Sequence, residues 1–177
     1  MTPVGRVIMN IQEAIFTRRS IRKFTAEIVD DQTLELVIRA GCQAPSAHNK
    51  QPWHFIVVKD KELLQTISEG HPYAKMLPQA GCAIVVCGDK KLEGIPGFIT
   101  EDCSAAIQNM LLMAHGTGLG AVWCAVHPVG KLVKLFTKLL ELPKNILPVG
   151  MVVIGHPALT ASSVDRYDEA RVHKEKW

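Results

Sequence analysis

The sequence lacks the features that mark disulfide-rich, zinc-binding or membrane-spanning proteins. Its five cysteines form no C-x-x-C pair, which argues against a disulfide scaffold and a zinc site and favours a reducing compartment. No run of about 18 apolar residues occurs. Polar residues also interrupt any signal-peptide core near the start, namely Arg6, Asn10, Gln12 and Glu13. We therefore expect a cytoplasmic protein that neither carries a signal peptide nor enters a membrane.

The sequence also has few aromatic residues and only a small net charge. Lysine and arginine number 20 against 17 acids, a net charge of +3, and aromatic residues make up 6%. Modules that bind nucleic acid combine a basic surface with aromatic stacking platforms, so a module built on residues 18–23 is a weak hypothesis and we expect no nucleic-acid partner. A chain of 177 residues, 47% of them hydrophobic, suits one domain with a sizeable core.

Short apolar runs alternate with amphipathic segments along the chain. The apolar runs predict strands at 54–59, 82–88, 121–126 and 149–155. Helices are predicted at 10–17, after an N-cap at Asp30 or Asp31, at 61–68, from a cap at Thr100 to Gly116, and at 129–141. Because each strand is apolar throughout, we expect a central sheet covered by helices on both faces.

Three arginines and a serine gather in residues 17–24, "TRRSIRKF". Cations that follow a helix relieve its dipole, which would account for Arg18 and Arg19. A phosphate monoester would account for these two and also for Ser20 and Arg22, since guanidinium and hydroxyl groups are good phosphate donors. From this stretch alone both explanations stay open.

The other candidate motifs favour structural explanations. "GTGLGA" (116–121) follows a helix and opens a strand, the reverse of a dinucleotide fingerprint, so we interpret it as a helix C-cap and turn. His48 and His54 have no further ligand at metal-binding spacing, and we expect hydrogen-bonded or exposed side chains. No Ser–His–Asp arrangement can be assigned. Three cysteines lie in apolar strands and are predicted to be core residues: Cys82, Cys87 and Cys124.

The loop "APSAHNKQPW" (44–53) resembles the flavin-binding loop of the FMN-dependent nitroreductase family, A-P-S-x-x-N-x-Q-P-W-x-F. The pattern is met by Ala44, Pro45, Ser46, Asn49, Gln51, Pro52, Trp53 and Phe55. "RRSIRKF" is similar to the family's early motif, and residues 101–123, 155–157 and 165–173 are similar to its long helix and its C-terminal pattern. The resemblance thus covers nearly the whole chain, and the chain resembles the short members of the family.

The resemblance implies an architecture and an assembly. It implies an α+β fold, a three-layer α/β/α sandwich around a central mixed sheet, with residues 1–177 forming one nitroreductase-like domain. It also implies a homodimer with FMN at the interface. Residues 157–177 would then be a C-terminal arm that reaches the partner subunit.

The resemblance further implies which residues bind the cofactor. Arg18, Ser20 and Arg22, with Arg19 beside them, would hold the FMN phosphate together with Arg166. The loop from Pro45 to Gln51, including Ser46, His48 and Asn49, would contact the isoalloxazine ring from the partner subunit, and the backbone of Trp123 and Cys124 would lie against the ring. No catalytic side chain and no metal ligand are assigned.

The implied activity is that of an FMN-dependent oxidoreductase. NADH or NADPH would reduce the flavin, and a nitroaromatic, quinone or similar small acceptor would reoxidise it by a ping-pong mechanism. A flavin-binding storage or sensor protein with little turnover is the alternative. The connections 88–100 and 127–148 leave little room for a long lid, so the acceptor and the choice between NADH and NADPH stay open.

Overall fold

The computed structural model describes residues 9–177, so that Arg6 lies outside the described part of the chain. The helices are α1 (Ile11–Thr17), α2 (Asp31–Cys42), α3 (Lys61–Gly70), α4 (Pro96–Gly116) and α5 (Gly130–Leu139). The strands are β1 (Trp53–Val58), β2 (Cys82–Asp89), β3 (Gly120–Ala125) and β4 (Ile146–Gly155). Short 3₁₀ turns occupy Ala47–Asn49, Leu77–Gln79 and Glu169–Arg171. Within residues 9–177 no helix is long and apolar enough to cross a bilayer.

The four strands form one sheet in the order β1-β2-β4-β3. The α+β class is confirmed, but the expectation of a mixed sheet is corrected, because every pair of neighbouring strands is antiparallel. The last strand, β4, lies between β2 and β3 and runs opposite to both. Among the described residues the one parallel pairing is an isolated bridge between Ser20 and Ala121.

Alternate residues of the central strands face opposite helical layers, as the period of a strand requires. Ile84, Val86, Val152 and Ile154 share a core with Ile107, Met110 and Leu34 of α4 and α2. Val85, Cys87, Met151 and Val153 share a second core with Ile67 of α3 and Phe136 of α5. All these side chains are buried. The expectation of a three-layer α/β/α arrangement is confirmed.

Most of the cysteines belong to these cores. Cys82, Cys87 and Cys124 are buried in the strands, as predicted, and Cys103 is buried in α4. Burial raises the pKa of the first two and of Cys103 to about 12, and that of Cys124 to about 11. None of these thiols is bonded to another sulfur, and Cys42 is exposed.

Two helix starts test the capping predictions. The Asp30 side chain accepts a hydrogen bond from the Thr33 N–H at 2.8 Å, so it is the N-cap of α2, as expected. The cap predicted at Thr100 is wrong, because α4 begins a turn earlier, at Pro96. Proline is favoured in the first turn, where its missing N–H has no intrahelical role. Thr100 instead donates its hydroxyl proton to the Pro96 carbonyl at 3.1 Å.

Candidate functional site

The arginine-rich segment lies against the edge of the sheet beyond the end of α1. Ser20 pairs with Ala121, and the Ile21 N–H donates to the Ala121 carbonyl at 3.0 Å. Further along, the Thr25 N–H donates to the carbonyl of His156 at 3.0 Å, just past β4. The start of β3 and the end of β4 therefore fix the backbone of this segment in place.

Three cations gather around the start of this segment. Burial lowers the pKa of Arg18, and the nearby positive charges of Arg166 and Arg19 lower it further. No carboxylate within residues 9–177 forms an ion pair with any of the three. Like charges held together without a counterion repel one another, so the cluster fits a multiply charged anion such as a phosphate monoester. We call Arg18, Arg19 and Arg166 the cation cluster.

Arg22 lies elsewhere in the site. Its charge acts on Cys124, where it opposes the effect of burial on the thiol pKa. Ser20 is exposed beside the start of β3. Of the residues predicted to contact the phosphate, the structure thus gathers Arg18, Arg19 and Arg166, while Ser20 and Arg22 follow along the same extended segment.

His115, which the sequence analysis did not single out, anchors the end of α1 on the end of α4. Its Nε2 lies 2.7 Å from the Thr17 hydroxyl oxygen, which itself lies 2.7 Å from the Glu13 carbonyl. Burial, followed by the charge of Arg18, lowers the His115 pKa. A neutral His115 therefore adds no further charge to the cation cluster. A cavity of about 280 Å³ opens here, lined among others by Thr17, Arg19 and His115.

The close approach of Ile21 to β3 depends on the glycine at position 120. A Cβ there would lie 2.7 Å from Ile21 Cγ2 and 2.9 Å from Ile21 Cβ. We expect Gly120→Ala to displace Ile21, lower stability by about 1–3 kcal/mol and weaken FMN binding several-fold. Thermal unfolding and flavin titration measure both effects. Gly116→Ala is the control, since nothing lies within 4 Å of its added methyl, and equal behaviour of the two variants would contradict the prediction.

The loop between Ser46 and Gln51, here called the amide loop, has an unusual backbone. His48, Asn49 and Gln51 have φ values of 52°, 56° and 49°. Left-handed conformations of residues other than glycine cost on the order of 1–3 kcal/mol each and persist where the surroundings impose them. The Ser46 Oγ accepts from the Gln51 N–H at 2.9 Å, which closes the loop.

The amide loop presents two side-chain amides to its exposed face. The Gln51 Nε2 donates to the Asn49 Oδ1 at 2.9 Å. Within the described part of the chain, the Asn49 amino group and the Gln51 carbonyl oxygen then have no partner. A donor and an acceptor displayed together suit the mixed polar edge of a flavin ring. His48 and the preceding Pro45 are also exposed.

Two buried acidic side chains contact the amide loop on the side that faces α4 and the segment before it. The Ala47 N–H donates to Asp102 Oδ1 at 2.9 Å, and the Lys50 Nζ lies 3.0 Å from Glu93 Oε2. Asp102 lies in the second turn of α4, which begins at Pro96. Glu93 was not singled out, since it lies in a charged segment that reads as an ordinary surface loop.

The remaining predicted residues lie on β3, an edge strand of the sheet. Trp123 is 36% exposed, and its indole Nε1 would lie 2.5 Å from a Cβ at position 150, so Gly150 makes room for it. Cys124 is buried, with its Sγ 3.5 Å from the Tyr73 carbonyl oxygen. The Trp123 side chain therefore lies over Gly150 of the neighbouring β4, while the outer side of β3 pairs with Ser20 at Ala121.

The amide loop and the end of α1 are attached to α4 at two separate points. Asp102 holds the loop and His115 holds the end of α1, which precedes Arg18. Thirteen residues separate these two attachment points, and a helix rises 1.5 Å per residue, so they lie about 20 Å apart.

Comparison with known proteins identifies the family. The Nitroreductase family model matches residues 15–70 and 66–156. A Methanothermobacter thermautotrophicus protein assigned as an NADH dehydrogenase/NAD(P)H nitroreductase is 44% identical over 96% of this chain and 88% of its own. A Parabacteroides distasonis crystal structure of the same assignment has a TM-score of 0.90 at 39% identity, covering 94% of this chain and 98% of its own.

A third similar protein was crystallised with a ligand. It is assigned as a nitroreductase, comes from Desulfovibrio desulfuricans and was solved in complex with FMN. It has a TM-score of 0.81 at 31% identity, and the match covers 96% of this chain and 99% of its own. This chain therefore belongs to the nitroreductase family, as the sequence motifs predicted.

Proposed function

We propose that this protein is an FMN-dependent oxidoreductase in which NADH or NADPH and a small oxidising acceptor react in turn, by a ping-pong mechanism. The similar proteins support the general class, an NAD(P)H oxidoreductase that uses FMN. The observation that carries the proposal is the cation cluster, three cations without a carboxylate partner among the described residues. A nitroaromatic or quinone is the acceptor class that we propose.

The residues of the chain would bind and orient the cofactor. Arg18, Arg19 and Arg166 would neutralise its phosphate, with the Ser20 hydroxyl and Arg22 following along the segment. The amides of Asn49 and Gln51 would meet the polar edge of the ring. Bound FMN would supply hydride acceptance and electron transfer.

A homodimer with the cofactor at its interface is the second part of the proposal. The separation of about 20 Å along α4 supports it, because the amide loop of one subunit can then face the cation cluster of another. Apolar side chains on α1 are also exposed, namely Ile11, Ile15 and Phe16 at 69%, 54% and 66%. Such a patch on a small protein indicates an interface.

The C-terminal segment adds to this argument. Every residue of 158–177 is exposed, and Trp177 is fully exposed and stacks on His173 at a centroid distance of 4.3 Å. We propose that residues 157–177 are the arm of a single domain and cover the partner subunit. The five free thiols support a cytoplasmic location, since disulfides do not persist in a reducing compartment.

Anaerobic reduction tests the proposed activity. We expect the purified protein to be yellow, and its flavin absorbance to bleach on addition of NADH or NADPH. Varied donor and acceptor concentrations should then give parallel double-reciprocal lines. A yellow protein that neither donor bleaches would favour the storage or sensor alternative, whereas a protein that stays colourless in excess FMN would overturn both.

Asn49→Ala is expected to change the reduction potential of the bound flavin. Hydrogen bonds to the ring differ in strength between its oxidised and reduced forms, so losing one moves the midpoint potential while the phosphate contacts remain. Titration against a redox dye of known potential measures the shift. An unchanged potential with FMN still bound would show that Asn49 does not contact the ring.

A further inference from the structure

The amide loop is held by two carboxylates that are otherwise unexplained. The side chain of Glu93 has no exposed area at all, and that of Asp102 is buried as well. Acidic side chains are almost never fully buried unless they are paired, because desolvation of the charge is costly. Both carboxylates belong to the segment that leads into α4 or to α4 itself, and both are directed at the same loop.

Glu93 contacts the amide loop through one of its two carboxylate oxygens, Oε2, which faces Lys50. Its Oε1 accepts from the N–H of Ile95, two residues further on, at 2.8 Å. Its Oε2 makes no hydrogen bond of good geometry within residues 9–177, and the Lys50 ammonium lies 3.0 Å away. The Ile95 N–H and Lys50 both lower the Glu93 pKa, and the charge of His48 contributes. The ionised carboxylate is therefore the form that holds the loop.

Asp102 holds the other end of the same turn. Its Oδ1 accepts from the Ala47 N–H at 2.9 Å, and its Oδ2 has no hydrogen-bond partner among the described residues. Ala47 and Lys50 bracket His48 and Asn49, two of the three residues of the amide loop with left-handed backbone. The turn that carries Asn49 is thus fixed at both sides by a buried carboxyl group.

We propose that Glu93 is a positioning residue, which acts through Lys50 to hold the amide loop in the shape that binds the flavin ring. This inference rests on the proposed function, since it assumes that the loop contacts the ring. A loop that is already ordered loses less entropy when a ligand binds. Loss of the Glu93 charge would then weaken ring binding without touching the cation cluster.

The test compares FMN with riboflavin, which has the ring but no phosphate. We expect Glu93→Gln, which keeps an acceptor for the Ile95 N–H, to weaken both ligands by the same factor, several-fold to tenfold. The midpoint potential should move in the same direction as in Asn49→Ala. Glu101→Gln, on the exposed face of α4, is the matched control and should change neither quantity.

Lys50 variants keep the test decisive if Glu93→Gln fails to fold. We expect Lys50→Met to weaken riboflavin binding, Lys50→Arg to restore it, and the double variant Glu93→Gln/Lys50→Met to lose no more than the stronger single variant. Hydrogen exchange of the flavin-free protein should become faster at residues 47–51 in Glu93→Gln and remain unchanged in β2.

Two results would overturn the inference, and they differ from a failure of the proposed function. One is a folded Glu93→Gln protein with native riboflavin affinity and potential, and the other is an equal loss of affinity in Lys50→Arg and Lys50→Met. A wild-type protein that binds neither FMN nor riboflavin would instead refute the proposed function, and this inference with it.

Discussion

Arg18→Ala is expected to weaken FMN binding about tenfold or more and to leave riboflavin binding nearly unchanged. A hydrogen bond to a charged group is worth about 1.5–3 kcal/mol, and 1.4 kcal/mol is a factor of ten in affinity. Riboflavin has no phosphate for the cation cluster to bind. Isothermal titration or flavin fluorescence with both ligands measures the ratio.

The flavin-free protein provides a second readout for Arg18. Burial lowers the pKa of Arg18 and the charges of Arg166 and Arg19 lower it further, so the three charges repel one another when no anion is bound. We expect flavin-free Arg18→Ala to melt no lower than the wild type, although FMN stabilises it less. Arg39→Ala, which removes an exposed arginine paired with Glu35 at 2.7 Å, is the control. Equal losses for FMN and riboflavin would indicate a damaged fold instead.

Deletion of residues 160–177 is expected to lower dimer stability and FMN affinity together. The deleted segment contains Arg166, one of the three cations around the phosphate site, and exposed apolar residues that gain by burial, such as Tyr167 and Trp177 at 73% and 102%. Affinity for FMN should fall about tenfold or more, for the reason given above. Light scattering with a flavin count per chain measures both.

Arg166→Ala separates the two roles of this segment. It removes the charge and keeps the rest of the arm, so we expect weaker FMN binding in an intact dimer. A truncated protein that remains dimeric with full FMN occupancy would show that residues 160–177 are only a tail. A full-length protein that is monomeric when saturated with FMN would refute the dimer.

The sequence predicted the order of the elements better than their ends. The strand expected at 149–155 in fact begins at Ile146. The prediction began too late because a proline, here at position 148, is normally disfavoured inside a central strand. The structure accommodates it at a bulge, where the register between β2 and β4 shifts between Val86 and Cys87. The carbonyl of Val149 then accepts from Val126 and His127 instead. Such a bulge depends on the neighbouring strand and leaves no local signal.

The candidate site was predictable where a motif is contiguous. The arginine segment and the amide loop can each be recognised from a stretch of no more than ten consecutive residues. Glu93 does not, because its burial depends on Lys50, which lies far from it along the chain. His115 could not be recognised for the same reason, since its partner Thr17 is 98 residues away along the chain. The strand directions could not be predicted, because they depend on where β4 inserts.

A flavoprotein that works in air makes an oxidant beside its own side chains, since reduced flavins pass electrons to dioxygen and release hydrogen peroxide. Peroxide attacks thiolates much faster than thiols. The four buried cysteines have pKa values of about 11 to 12, so fewer than about one in a thousand is ionised at neutral pH. The centre of the sheet thus resists a by-product of turnover, and the exposed Cys42 is the thiol left to meet it.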